Sequence, residues 1–143
     1  MKLNYLENPL QIPLAYETNA KGERTFMVLV DINVTLSDGY EFHIPQGFKT
    51  DLASIPNWGW SIFKPIDKAF IADLIHDGLW VDKQGQIKHF DNNIYQARKF
   101  ADEERLRWRK SLAPEKKIKN YITHKIIRLI GGFYYSKQIK IPN

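Results

Sequence analysis

His76 and Asp77 sit side by side in Ala72-Asp73-Leu74-Ile75-His76-Asp77-Gly78-Leu79-Trp80. Upstream, Gly47-Phe48-Lys49-Thr50-Asp51-Leu52-Ala53-Ser54-Ile55-Pro56 gathers Thr50, Asp51 and Ser54 in one polar stretch. An imidazole whose second nitrogen is held by a carboxylate acts as a general base, and carboxylates in a loop ligate hard cations. The two segments therefore carry the parts of a metal-assisted or acid–base site. On a helix, Asp73, His76, Asp77 and Trp80 fall at i, i+3, i+4 and i+7 and share one stripe. Asp77 lies about 100° around the helix axis from His76, which suits it to hold something beside the ring rather than to orient it. The same residues also fit a purely structural role. Ser54 would cap the next helix, Asp51 would brace its own turn, and Asp73, His76 and Asp77 would form the wet face of a helix.

The elements that must position these groups follow from periodicity and punctuation. Residues 1–22, with Pro9, Pro13 and Gly22, form an arm. Residues 23–46 form a β-hairpin: a strand over Phe26–Leu36, a turn at Ser37-Asp38-Gly39, and an alternating return strand over Tyr40–Ile44. Residues 47–56 are a polar loop and residues 57–132 are helical. A short aromatic helix runs from Trp58 to Phe63. A helix capped by Asp67 runs to Val81, Asp82–Gly85 form a loop, and a polar helix capped by Asp91 runs to Leu112. Pro114 breaks the chain, and the last helix ends at Gly131-Gly132. Residues 133–143 are a tail. Strands followed by helices predict a single α+β domain: a small N-terminal antiparallel sheet, then three or four helices with 67–81 packed antiparallel on 91–112.

A chain of 143 residues is one domain by size, and its 43% apolar content is ordinary. With no cysteine there is no disulfide framework, thiolate zinc site or thiol nucleophile. No run of 18 apolar residues occurs, and the first residues lack a signal-peptide core, so synthesis in a host cytoplasm is expected. Charge is uneven. Residues 98–143 hold 13 Lys/Arg against 4 Asp/Glu, while residues 1–97 are net acidic. Arg105, Arg109, Lys116 and Lys117, near Trp108, are expected on a basic surface. Such a surface suits a protein partner or, less well, anionic lipid or nucleic acid. No recognised nucleic-acid-binding motif is present, and charge alone gives nonspecific binding.

The pattern Gly47-Phe48-x-Thr50-Asp51-x-Ala53-Ser54-Ile55-Pro56, then Ala72, His76-Asp77, Leu79 and Trp80, resembles domain of unknown function 1353. Ala101-Asp102 and Ile127-Arg128-Leu129-Ile130-Gly131 fit the family's later segments, and the resemblance covers residues 26–132. It implies a phage or prophage context, with virion association conceivable, and brings no mechanism. A more distant likeness is to the helix pair of secreted phospholipase A-two enzymes. It implies His76 as the base that activates water, Asp102 as the carboxylate that orients it, and Asp77 with Asp51 as calcium ligands. Asp91 competes with Asp102 for the orienting role. Trp80 stands where that family has a tyrosine, and neither its cysteines nor its glycine-rich calcium loop is present.

Two readings result. In one, the chain is a metal-assisted ester or lipid hydrolase acting in lysis or entry, with a divalent cation, calcium foremost. In the other, it is a noncatalytic phage accessory or virion protein, or an inhibitor that binds a host protein, and the polar network serves the fold.

Overall fold

The computed structural model describes residues 2–3, 12–18, 20, 24–50 and 69–139. Asp51, Ser54, Asp67 and the expected aromatic helix at Trp58–Phe63 lie outside the described residues. The fold is α+β, with the strands first and the helices after. Strand β1 is Lys2–Leu3, β2 Leu14–Thr18, β3 Arg24–Val28, β4 Ile32–Thr35, β5 Glu41–Ile44 and β6 Lys49–Thr50. Helix α1 is Phe70–Val81, α2 Lys83–His89, α3 Ile94–Leu112 and α4 Lys117–Ile139.

The strands form two antiparallel three-stranded sheets, in orders β1-β4-β5 and β2-β3-β6. The apolar run Phe26–Leu36 is therefore not one strand. It breaks at Leu29–Asp31, so β3 and β4 belong to different sheets. The β4–β5 turn follows expectation, with Gly39 at φ +89° and Ile32↔Ile44 and Val34↔Phe42 in register. Buried and exposed residues alternate along both strands, which turns Ile32, Val34, Phe42 and Ile44 into the core. Lys49–Thr50, expected in a loop, instead pairs with β3 as Met27↔Lys49 and Phe26↔Thr50.

Helix α1 fills the centre. Phe70, Ile71, Ala72, Leu74, Ile75 and Leu79 are buried against Val28, Ile32, Val34, Leu36, Phe42 and Ile44. A helix this apolar around its circumference belongs inside a fold. Gly78 permits the contact with β5, because a Cβ there would lie 2.8 Å from Phe42 Cε1. The residues after α1 depart from expectation. Residues 83–85, read as loop, open α2. Asp91 sits in a turn at φ 53°, and the N-cap of α3 is Asn93, whose side chain accepts from Gln96 N at 3.1 Å. Helix α4 runs through Gly131-Gly132 to Ile139, so these glycines do not end it and residues 133–139 are not a tail.

Helix directions can be read from side-chain pairs. His76 meets Asp102, while Asp73 meets Arg105 and Arg109, so α1 and α3 run antiparallel. Asp102 meets Arg128, Arg105 meets Thr123 and Arg109 meets Asn120, so α4 is antiparallel to α3.

Candidate functional site

Of the polar stripe of α1, Asp73 and His76 face α3 and are buried there. His76 is 1% exposed and Asp102 0%. His76 Nε2 lies 2.7 Å from Asp102 Oδ1, and Arg128 Nη1 donates to Asp102 Oδ2 at 2.7 Å. Arg98 Nε adds a third positive group 3.7 Å from the same carboxylate oxygen. On the other side of the ring, His76 Nδ1 is 3.5 Å from Asp77 Oδ1, and Thr50 Oγ1 donates to Asp77 Oδ2. Strand β6 thus delivers Thr50 to α1, and α3 with α4 delivers Asp102 and Arg128. Trp80, one turn along α1 and half-buried, lays its ring 4.8 Å from the imidazole at 44°.

The imidazole is held between two carboxylates. Burial alone favours the neutral ring, but the hydrogen bonds and charges of Asp102 and Asp77 outweigh it, and the pKa of His76 stands above its ordinary 6.5. Burial likewise opposes the Asp102 carboxylate. The His76 hydrogen bond and charge, joined by Arg128 and Arg98, overcome that and hold its pKa below 3.8. The pairing thus favours the imidazolium of His76 and the carboxylate of Asp102 over their neutral forms. On α4, His124 goes the other way: burial, helped by the Arg105 and Arg128 charges and opposed by Asp102, lowers its pKa.

A second buried ion pair lies along the same helices. Asp73 accepts from Arg105 Nε at 2.6 Å and Arg109 Nη1 at 3.1 Å. Arg109 Nε donates to Asn120 Oδ1 at 2.9 Å, and Arg105 Nη1 to Thr123 Oγ1 at 3.2 Å. Arg105 and Arg109 are 3% and 1% exposed, which overturns their assignment to a basic surface. Their i, i+4 spacing serves α1, because Asp73 needs cations once the apolar residues around it bury the helix. Lys117 is exposed and Lys116 half-buried. A third network ties the hairpin down. Glu104 accepts from Ser37 N at 2.8 Å and Trp108 Nε1 at 3.0 Å, and Asp38 meets His89 Nε2 at 2.9 Å.

Of the residues singled out in sequence, His76, Asp77, Asp102, Thr50 and Trp80 come together, while Asp73 belongs to the neighbouring arginine pair. Asp91, the competing carboxylate, is exposed in the turn before α3 and makes no contact with His76. Sequence reasoning missed Arg98 and Arg128 as partners of Asp102. It also missed Asn120 and Thr123, whose signal was polar residues on the face of α4 that carries Ile127. Among the described residues, no group of three or more His, Asp or Glu is placed to hold a metal ion. Asp77 already spends one oxygen on Thr50 and turns the other to His76.

The sequence profile of one family, described as Protein of unknown function (DUF1353), matches residues 26–112. The chain belongs to that family. The match begins at β3 and ends with α3, so it takes in Thr50, His76, Asp77 and Asp102, while the Arg128 that closes the network lies beyond it on α4. Neither the curated proteins nor the solved structures contain a match to the chain.

Proposed function

We propose that this DUF1353 protein is a noncatalytic phage accessory or virion protein, and that its His-Asp network holds α1, α3, α4 and β6 in place. The observation that carries the reading is the two-sided engagement of a buried His76. A general base needs a lone pair free to take a proton from water or substrate. Here one ring nitrogen is bound to Asp102 and the other faces Asp77, and both carboxylates raise the pKa of the ring. The ring is also sealed from solvent. Three elements converge on it, as expected of a polar network that fixes how helices pack.

The hydrolase reading retains one observation, the 2.7 Å His76–Asp102 bond, which is also the geometry of an oriented base. The experiment that separates the two is a thermal-melt titration with calcium, magnesium, manganese and zinc, on wild type and Asp77→Asn. It is paired with a screen of carboxylic esters, phospholipids and phosphodiesters. The proposal predicts no metal-dependent rise in melting temperature that Asp77→Asn removes, and no turnover. Hydrolysis that disappears in a folded His76→Asn variant would replace the proposal with the enzyme.

A further inference from the structure

Helix α4 has two faces. Asn120, Thr123 and Ile127 are buried against α3. On the opposite side, Ile118, Tyr121, Ile122 and Leu129 stand in solvent, at 75%, 60%, 37% and 82% exposure. At 3.6 residues per turn these four fall on one side of the helix together with Lys125, and the stripe is about 16 Å long. Four large apolar side chains in one line are not the scattered exposure that any surface shows.

The charge around the stripe is of one sign. Helix α4 contains Lys117, Lys119, Lys125, Arg128 and Lys137 and no Asp or Glu. Lys117 and Lys119 flank the stripe on its two edges, and Lys125 lies within it, with its ammonium 5.4 Å from the Tyr121 ring. At the far end Arg128 stands 5.8 Å from the exposed ring of Tyr95 on α3. A second copy brought face to face would set lysines against lysines. An occupant must instead be apolar within and anionic at its rim, and it must accept a convex ridge rather than fill a groove.

We infer that the outer face of α4 docks onto an anionic phospholipid bilayer, lying in its interface. Ile118, Ile122 and Leu129 enter the acyl boundary, Tyr121 sits at headgroup level, and Lys117, Lys119 and Lys125 reach up to lipid phosphates. No helix among the described residues is long and apolar enough to cross a membrane, so the contact is peripheral. The assignment deepens the accessory-protein reading by giving it a surface to act on. Its test leaves His76 untouched, so the two fail separately.

The test is co-sedimentation of the full chain with vesicles of phosphatidylcholine alone and with roughly 30% phosphatidylglycerol, at low and physiological salt. Wild type is expected to pellet with the anionic vesicles only, less at higher salt. The double variant Ile118→Asn/Leu129→Asn is expected to bind roughly tenfold weaker or less still, with an unchanged melting temperature because both side chains are in solvent. Lys117→Gln and Lys125→Gln should each weaken binding about fivefold. Wild type that stays in the supernatant overturns the inference, as does a double variant that binds as well as wild type. Absence of vesicle binding, with capture by an immobilised acidic amphipathic peptide, reassigns the face to an acidic protein. A concentration-dependent dimer abolished by the double variant reassigns it to self-association.

Discussion

Asp102→Asn changes one atom type at the centre of the network and leaves its volume almost unchanged, so its effect is electrostatic rather than a cavity. The native carboxylate is 0% exposed and takes 2.7 Å hydrogen bonds from both His76 and Arg128. Removing one member of a buried ion pair costs roughly 3–5 kcal/mol. The lower end applies here, about 3 kcal/mol, for two reasons. His76 escapes part of the penalty by releasing its proton, and the Arg128 side chain is already 22% exposed and regains water. A domain of this length has roughly 7–20 kcal/mol of stability, so the loss is a sizeable share. It should lower the melting temperature by about 6–12 °C. Urea unfolding followed by tryptophan fluorescence reads the change as a lower midpoint at constant slope. A loss under about 1 kcal/mol, the level of an exposed pair, would refute the claim that this network holds the helices together.

The remaining expectations concern pH and packing. His76 has a folded pKa above 6.5, so its stabilisation is complete below 6.5 and is lost as pH rises through the folded value. Asp102 has a folded pKa below 3.8, so its share is present above 3.8 and lost as pH falls through that lower value. Urea midpoints should therefore be highest between these limits and decline on the alkaline side, and His76→Asn should abolish that decline. Arg109→Met leaves Asp73 with Arg105 alone and Asn120 Oδ1 without this donor, and should cost roughly 1–3 kcal/mol by urea unfolding, whereas Lys117→Ala on the surface should stay within about 0.5 kcal/mol. Gly78→Ala drives a methyl to within 2.8 Å of Phe42 and should cost about 1–3 kcal/mol by thermal melt.

The α+β order, the β4–β5 hairpin and the α1–α3 pair were legible in the sequence because each has a local signal: Asp38-Gly39, alternating apolar residues, and an apolar helix facing a polar one. The break at Leu29–Asp31 was not, because an unbroken apolar run carries no sign of which sheet each half will join. The N-cap passed from Asp91 to Asn93 because Asp91 and Asn92 adopt positive φ, a choice made by the α2–α3 turn. Gly131-Gly132 did not end α4, whose length is set by more than residue propensity. At the site, the residue types at His76, Asp77 and Asp102 drew attention, and the fold brings the three together. Arg105 and Arg109 were misread for a physical reason: local sequence shows charge but not which charge a distant helix will bury against it. Asp73, six residues past the expected Asp67 cap of the most apolar helix of the chain, was the clue that cations had to come to it.

The protonation state of His76 decides between a clamp and a base. A two-dimensional nitrogen–proton spectrum of the imidazole ring, recorded from pH 5 to pH 9 and assigned with His76→Asn, reads it directly. The account predicts a ring with both nitrogens protonated at pH 5, which loses its proton only above 6.5 and does so earlier in Asp102→Asn. A ring that loses its proton below 6.5, with an unprotonated Nδ1 open to exchange with water, would contradict it and return His76 to the role of a base.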